Sequence, residues 1–140
     1  MPANLPFSPR RSLHALFVLA ALAAGGSARS ALAVDLSGCW QGHWESCSTG
    51  HSGPLNATFC RVDATHYSVR FSGRFFKVVP FRYSVTLTVV ADRGDSVTLA
   101  GSSYLGRLVG TFHYQANATN CSFVANYNSC QDQGKFVLSR

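Results

Sequence analysis

Phe81-Arg-Tyr-Ser-Val-Thr-Leu-Thr-Val89 decides the fold class. Phe81, Tyr83, Val85, Leu87 and Val89 alternate without a break with Arg82, Ser84, Thr86 and Thr88. A period of two puts one set on an apolar face and the other in water, as in a half-buried antiparallel strand. The pattern recurs on both sides. Tyr67, Val69 and Phe71 alternate with Ser68, Arg70 and Ser72, and Leu108, Gly110, Phe112 and Tyr114 alternate with Val109, Thr111, His113 and Gln115. From residue 34 onward, Leu, Ala, Glu and Lys never cluster with a helical period.

Turn-forming residues divide these runs at 48–54, 77–80, 92–95, 102–106, 117–120 and 132–134. The spacing predicts eight strands, near 37–47, 54–62, 66–76, 81–91, 96–101, 107–116, 122–129 and 135–140. Short loops and regular spacing imply a single all-β domain, an antiparallel up-and-down meander. Apolar-x-Gly-x-aromatic recurs as Leu36-Ser-Gly-Cys-Trp40, Phe71-Ser-Gly-Arg-Phe75 and Leu108-Val-Gly-Thr-Phe112. Glycine within a strand permits sharp coiling or a close neighbour, so the sheet is expected to be strongly curved or closed into a small barrel.

The first 33 residues read differently. Arg10 and Arg11 precede the apolar run Ala15 to Ala24, and Ala31-Leu-Ala33 gives a small-x-small end. Ten apolar residues suit a signal peptide and are about half of a membrane-spanning helix. Cleavage after Ala33 leaves residues 34–140 as the domain, with no integral membrane segment, bound for secretion, the periplasm or the cell envelope. Arg10-Arg11 also suits a twin-arginine signal, and Leu36-Ser-Gly-Cys39 a lipobox that would anchor the chain through Cys39. The chain carries 12 Lys and Arg against 6 Asp and Glu. Three of those bases leave with the leader, so the domain holds nine against six, a net charge of +3. Without clustered bases tracking phosphates, that balance argues against a nucleic-acid partner.

Gly38-Cys-Trp40 on the first strand resembles the Gly-x-Trp signature of the calycins, the lipocalin and avidin-like barrels. The resemblance implies that an Arg near the last strand packs across that Trp and closes the barrel end. Arg140, in phase with Phe136 and Leu138, is the residue placed for it. The run including Gly50-His-Ser-Gly-Pro54 and Gly73-Arg-Phe-Phe76 is also similar to short secreted proteins of planctomycete bacteria with no assigned function, which implies no activity.

Trp40, Trp44, Phe59, Tyr67, Phe71, Phe81, Tyr83, Phe112, Tyr114, Phe123, Tyr127 and Phe136 share the inward phase. An eight-stranded barrel is either filled by such rings or holds one small ligand. The first reading is therefore a binding or structural module for a small apolar or aromatic molecule. Trp40, Trp44, Tyr67, Tyr83, Tyr114 and Tyr127 are its candidate contacts, the phenols orienting the ligand. The second is an envelope interaction protein with a filled core. Its basic residues Arg70, Arg74, Lys77 and Arg82 would meet an anionic polysaccharide, phospholipid headgroups or an acidic protein.

A third reading, a hydrolase, depends on His43, His51, His66 or His113 meeting a Ser or Asp in space. No carboxylate pair or nucleophile elbow is placed by sequence, and no cofactor is implied. Cys39, His43, Cys47 and His51 recur every four residues. On a strand that is about 13 Å per step, too far to share a metal ion. Five cysteines suit an oxidising compartment with one thiol spare. With a tight turn at Thr49-Gly50, Cys39 would oppose Cys60, and Cys47 and Cys130 would share a barrel end. The expected bridges are Cys39–Cys60 and Cys47–Cys130, with Cys121 spare.

Overall fold

The computed structural model describes residues 34–140, so the expected leader and its expected cleavage motif lie outside the described residues. Eight antiparallel strands close into one barrel in sequence order. They are β1 (Gly38–Ser46), β2 (Ser52–Arg61), β3 (His66–Phe75), β4 (Val79–Asp92), β5 (Val97–Tyr104), β6 (Thr111–Ala118), β7 (Ser122–Asn128) and β8 (Gln133–Ser139). β1 pairs with both β2 and β8, from Gln41↔Ser139 to Ser46↔Gly134, which leaves the sheet no outer edge at its seam.

The inward phase read from the sequence is the core. Nine of the twelve rings named above are buried, and Phe81, Tyr83 and Phe112 pack against them. Outward positions carry Gln41, Asn56, Ser68, Thr86, Gln115 and Asn126, so the barrel wall facing solvent is polar.

The two ends differ. At one, residues 34–37 enter the barrel as a plug. Val34 and Leu36 are buried, and Trp40 Nε1 donates to the Leu36 carbonyl at 2.8 Å. Tyr67 Oη accepts from Arg61 Nη2 at 2.6 Å and donates to the Val34 carbonyl at 3.4 Å. The Arg140 guanidinium lies 4.5 Å from the Trp40 ring centre. It donates to the carbonyls of Asn120, Ser37 and Asp35, tying the last residue to the plug and to the β6–β7 loop over the same ring.

Three expectations need correction. The five cysteines are all free and exposed. Cys39 stands opposite Thr58, not Cys60. The β1–β2 turn is closed by Ser46 N donating to the His51 carbonyl (2.8 Å), which centres the hairpin between residues 48 and 49. The expected centre lay one residue later, and a one-residue shift of the centre moves every partner by two. Cys47 adjoins Gln133 by a backbone hydrogen bond of 2.7 Å, whereas the Cys130 sulfur faces Gly110 across the β5–β6 loop. Cys47–Cys130 therefore does not form either.

The third correction concerns β6, which begins at Thr111 rather than 107. Gly106 and Gly110 both have positive φ (99° and 79°) and bracket a turn closed by Leu105 N donating to the Gly110 carbonyl. Leu108 and Val109, alternating by sequence, are thereby loop residues.

One hairpin is strained. The β3–β4 turn has Phe76 and Lys77 at φ 50° and 64°, with Val78 N donating to the Phe75 carbonyl at 3.1 Å. Two positive φ values mark a type I′ turn, which Asn-Gly fills without strain. Residues with a Cβ lose ~1–2 kcal/mol each there.

At the β2–β3 turn, the Asp63 carboxylate accepts from Thr65 N (2.8 Å) and His66 N (2.9 Å), with His66 Nδ1 at 2.9 Å. The Thr65 amide first, then the His66 ring, hold its carboxyl down to about 2 from the ordinary 3.8. Because the folded value lies below the unfolded one, this clasp is fully present above about pH 4 and is lost as pH falls toward 2. An NMR titration of the Asp63 side chain is expected to give a midpoint near the lower value. Asp63→Asn is expected to flatten the acid limb of the unfolding profile between those limits. An unperturbed midpoint would refute the clasp.

Candidate functional site

The plug end is solid, but the opposite end is hollow. β4 pairs with β3 from Val79 to Thr88, whereas its ladder with β5 runs only from Leu87 to Asp92. The first eight residues of β4 therefore have no ladder to β5; Ser84 and Thr86 still lie against Ser103 and Gly101, while Phe81 to Tyr83 stand by the β5–β6 loop. A cavity of about 260 Å³ opens between them. Trp44, Phe81, Tyr83, Phe112, Tyr127 and Phe136 form its aromatic wall, with Phe75 at the rim. Leu105 and Val109 cover it from the β5–β6 loop.

The wall is made of rings that support one another. Phe75 and Phe81 lie 4.4 Å apart between centres, Tyr127 and Phe136 5.0 Å, and Phe112 and Tyr127 5.6 Å. Polar tips are few and already oriented. Tyr114 Oη donates to Tyr83 Oη at 3.2 Å. Tyr127 Oη donates to Asp132 at 3.0 Å, and Ser46 Oγ donates to the same carboxylate at 2.6 Å. Trp44 Nε1 donates to the Arg74 carbonyl at 3.3 Å.

Burial raises the pKa of all three phenols. Tyr114 is pushed up to about 12. Tyr83 and Tyr127 lie higher still, Tyr83 through burial and its Tyr114 partner, Tyr127 through burial and the Asp132 carboxylate. At neutral pH the cavity presents uncharged hydroxyls on an apolar surface. Such a surface, with the Asp132 carboxylate and Arg82 also in its lining, suits neutral or aromatic matter.

Comparison with protein-family models, with curated proteins and with solved structures finds no match.

The structure divides the six candidate contacts. Trp44, Tyr83 and Tyr127 line the cavity, and Tyr114 holds Tyr83 from behind. Trp40 and Tyr67 lie at the plug end. Of the cavity's other residues, Phe81, Phe112 and Phe136 were legible as inward-facing rings. Leu105, Val109 and Asp132 were not, because a loop carries no periodicity to reveal which side chains fold back.

The basic residues separate too. Arg74, Lys77 and Arg82 surround the β3–β4 hairpin tip, and Arg82 also reaches the cavity rim. Arg70 is mid-wall, opposite Thr58 and Ser84.

Among the described residues no three His, Cys, Asp or Glu side chains are grouped to hold a metal ion. The His66–Asp63 contact superficially matches a general-base pair. Both residues are more than a third exposed, and the same carboxylate caps two turn amides. That arrangement clasps a turn.

Proposed function

We propose that this domain is an exported carrier or binding module that takes a small apolar or aromatic molecule into the mouth-end cavity. The observation that carries the reading is the aromatic cavity opening where β4 leaves β5. At interior packing density, ~0.74, its 260 Å³ admits on the order of a dozen non-hydrogen atoms, the size of a one- or two-ring compound. Neutral phenols and the Asp132 carboxylate supply the few polar contacts that fix orientation in such sites.

Export rests on the sequence of the leader. Processing after Ala33 is favoured over a lipid-anchored Cys39 by the burial of Val34 and Leu36, which cleavage before Cys39 would remove from the core. The calycin-like reading is supported by Arg140 lying over Trp40. Fold likeness alone does not choose the ligand.

Native mass spectrometry of protein recovered from its own producer tests both parts. The denatured spectrum should give a chain beginning at Val34. The native spectrum should give an additional mass, lost on denaturation and absent from a Leu105→Trp variant whose indole narrows the cavity. Equal native and denatured masses, together with no saturable quenching of Trp44 fluorescence by 1-naphthol, would overturn the carrier reading.

A further inference from the structure

Seven of the ten exposed large apolar side chains among the described residues lie at the cavity mouth, whereas Val62 and Val90 are exposed at the opposite end. Leu108 is 85% exposed, Val78 74%, Phe76 67% and Tyr104 66%. They lie on or beside the β3–β4 turn and the β5–β6 loop, the two segments that flank the cavity entrance. Isolated exposed apolar residues are ordinary; a cluster at one end of a molecule marks a contact surface. The hairpin tip adds a second observation. It holds Phe76 and Lys77 in the left-handed region, where a relaxed turn would carry no such side chains.

Charge follows the same axis. Arg74, Lys77, Arg82 and Arg107 are exposed around these two segments, which contain no carboxylate. Asp35, Asp63, Asp92 and Asp95 lie at the plug end. The two acids on the mouth side are already engaged: Glu45 with Lys135 at 2.9 Å, and Asp132 with Ser46 and Tyr127. The plug end thus carries Arg61, Arg93 and Arg140 against four acids, a net −1, and the mouth carries five bases against two acids, a net +3.

We infer that the mouth docks on an anionic phospholipid bilayer, with Phe76, Val78 and Leu108 entering the interface and Arg74, Lys77, Arg82 and Arg107 meeting headgroups. A polysaccharide or an acidic protein would satisfy the cations but would give exposed aliphatic tips no apolar medium to enter. A bilayer interface satisfies both at once, since apolar side chains partition into it while basic residues are attracted to its surface potential. The polar outer wall keeps the barrel on the surface. The inference deepens the carrier reading and rests on it for what docking achieves: the cavity entrance faces the bilayer, so an apolar ligand passes without crossing water.

Co-sedimentation of residues 34–140 with phosphatidylcholine vesicles, with and without phosphatidylglycerol, tests it. Binding is expected only with phosphatidylglycerol, and it should weaken at least tenfold between 0.1 M and 0.5 M salt as the attraction is screened, to about a Debye length of 10 Å or less. Phe76→Ser with Leu108→Ser, and separately Lys77→Glu with Arg107→Glu, should each weaken it more than tenfold. None of these four residues lines the cavity. Both double variants should therefore keep the wild-type melting temperature and the wild-type response of Trp44 to 1-naphthol without vesicles.

Absence of vesicle binding would overturn the inference. So would loss in the charge variant only, which is the result a purely anionic partner predicts. Vesicle binding without any 1-naphthol response would leave docking standing and the carrier reading refuted.

Discussion

Gly42→Ala is expected to prevent the barrel from closing. Gly42 is an exposed position of β1 between the buried Trp40 and Trp44, paired with Leu55 on one side and Leu138 on the other. A Cβ there would land on the Val137 carbonyl oxygen and lie 2.9 Å from Leu138 Cα. Both are backbone atoms of β8, so no side-chain rotation relieves the clash. Relief requires β8 to separate from β1, which breaks the one ladder that joins the two ends of the meander. The cost is expected to reach ~4 kcal/mol or more, at the extreme of single substitutions. Domains of this size have only about 5–15 kcal/mol to lose.

The check is the urea midpoint with far-ultraviolet circular dichroism. Gly50→Ala serves as the comparison, since nothing lies within 4 Å of its Cβ position and only its φ of +71° opposes a side chain. That change should cost about 1–2 kcal/mol. Equal midpoints for the two variants would mean that the seam tolerates separation.

Trp40→Ala carries the second-largest effect. Trp40 is 1% exposed and packs against Phe59 and Phe123, with ring centres 5.7 and 6.5 Å away. Arg140 covers its outer face, and Leu36 accepts its indole N–H. Truncation removes the ring from the core and leaves a cavity beneath the plug, a loss of about 3–5 kcal/mol. The cation–π contact is worth only ~0.5–2 kcal/mol, so Arg140→Ala should be milder.

A double-mutant cycle separates the terms. Once Trp40 is gone, removing Arg140 should cost less than it does alone. A strictly additive pair would show that Arg140 acts on the plug and the β6–β7 loop and not on the ring. Trp40→Phe, if folded, should leave the 1-naphthol response of Trp44 intact, because the plug and the cavity occupy opposite ends of the barrel.

These effects trace back to residues that the sequence presents unevenly. The phase of β3 and β4 is visible in Tyr67 to Phe71 and Phe81 to Val89, because a strand's period is two and one face must be dry. For the same reason all twelve inward rings were legible. Gly42 was not singled out: glycine between two tryptophans reads as any strand glycine until the carbonyl that crowds it is known. The hairpin register at Cys39 was also out of reach. Gly50 shows that the chain turns, yet backbone hydrogen bonds at Ser46 and His51 set where, and one residue of uncertainty redirects every cross-strand partner. Leu108-Val-Gly110 misled for a related reason, since local alternation carries no information about the two left-handed glycines that bend it into a loop.

The sequence by itself determined an all-β meander, its strand count and its inward face, because each depends on periodicity and turn chemistry within a few residues. Tertiary structure alone decided the closure of β1 on β8, the free state of the cysteines and the division between a plugged end and a hollow one. Those features depend on atoms brought together from distant positions: Arg140 over Trp40, Val137 against Gly42, Leu105 across from Phe81. Their placement is set by register and loop path, and neither is written in any local pattern.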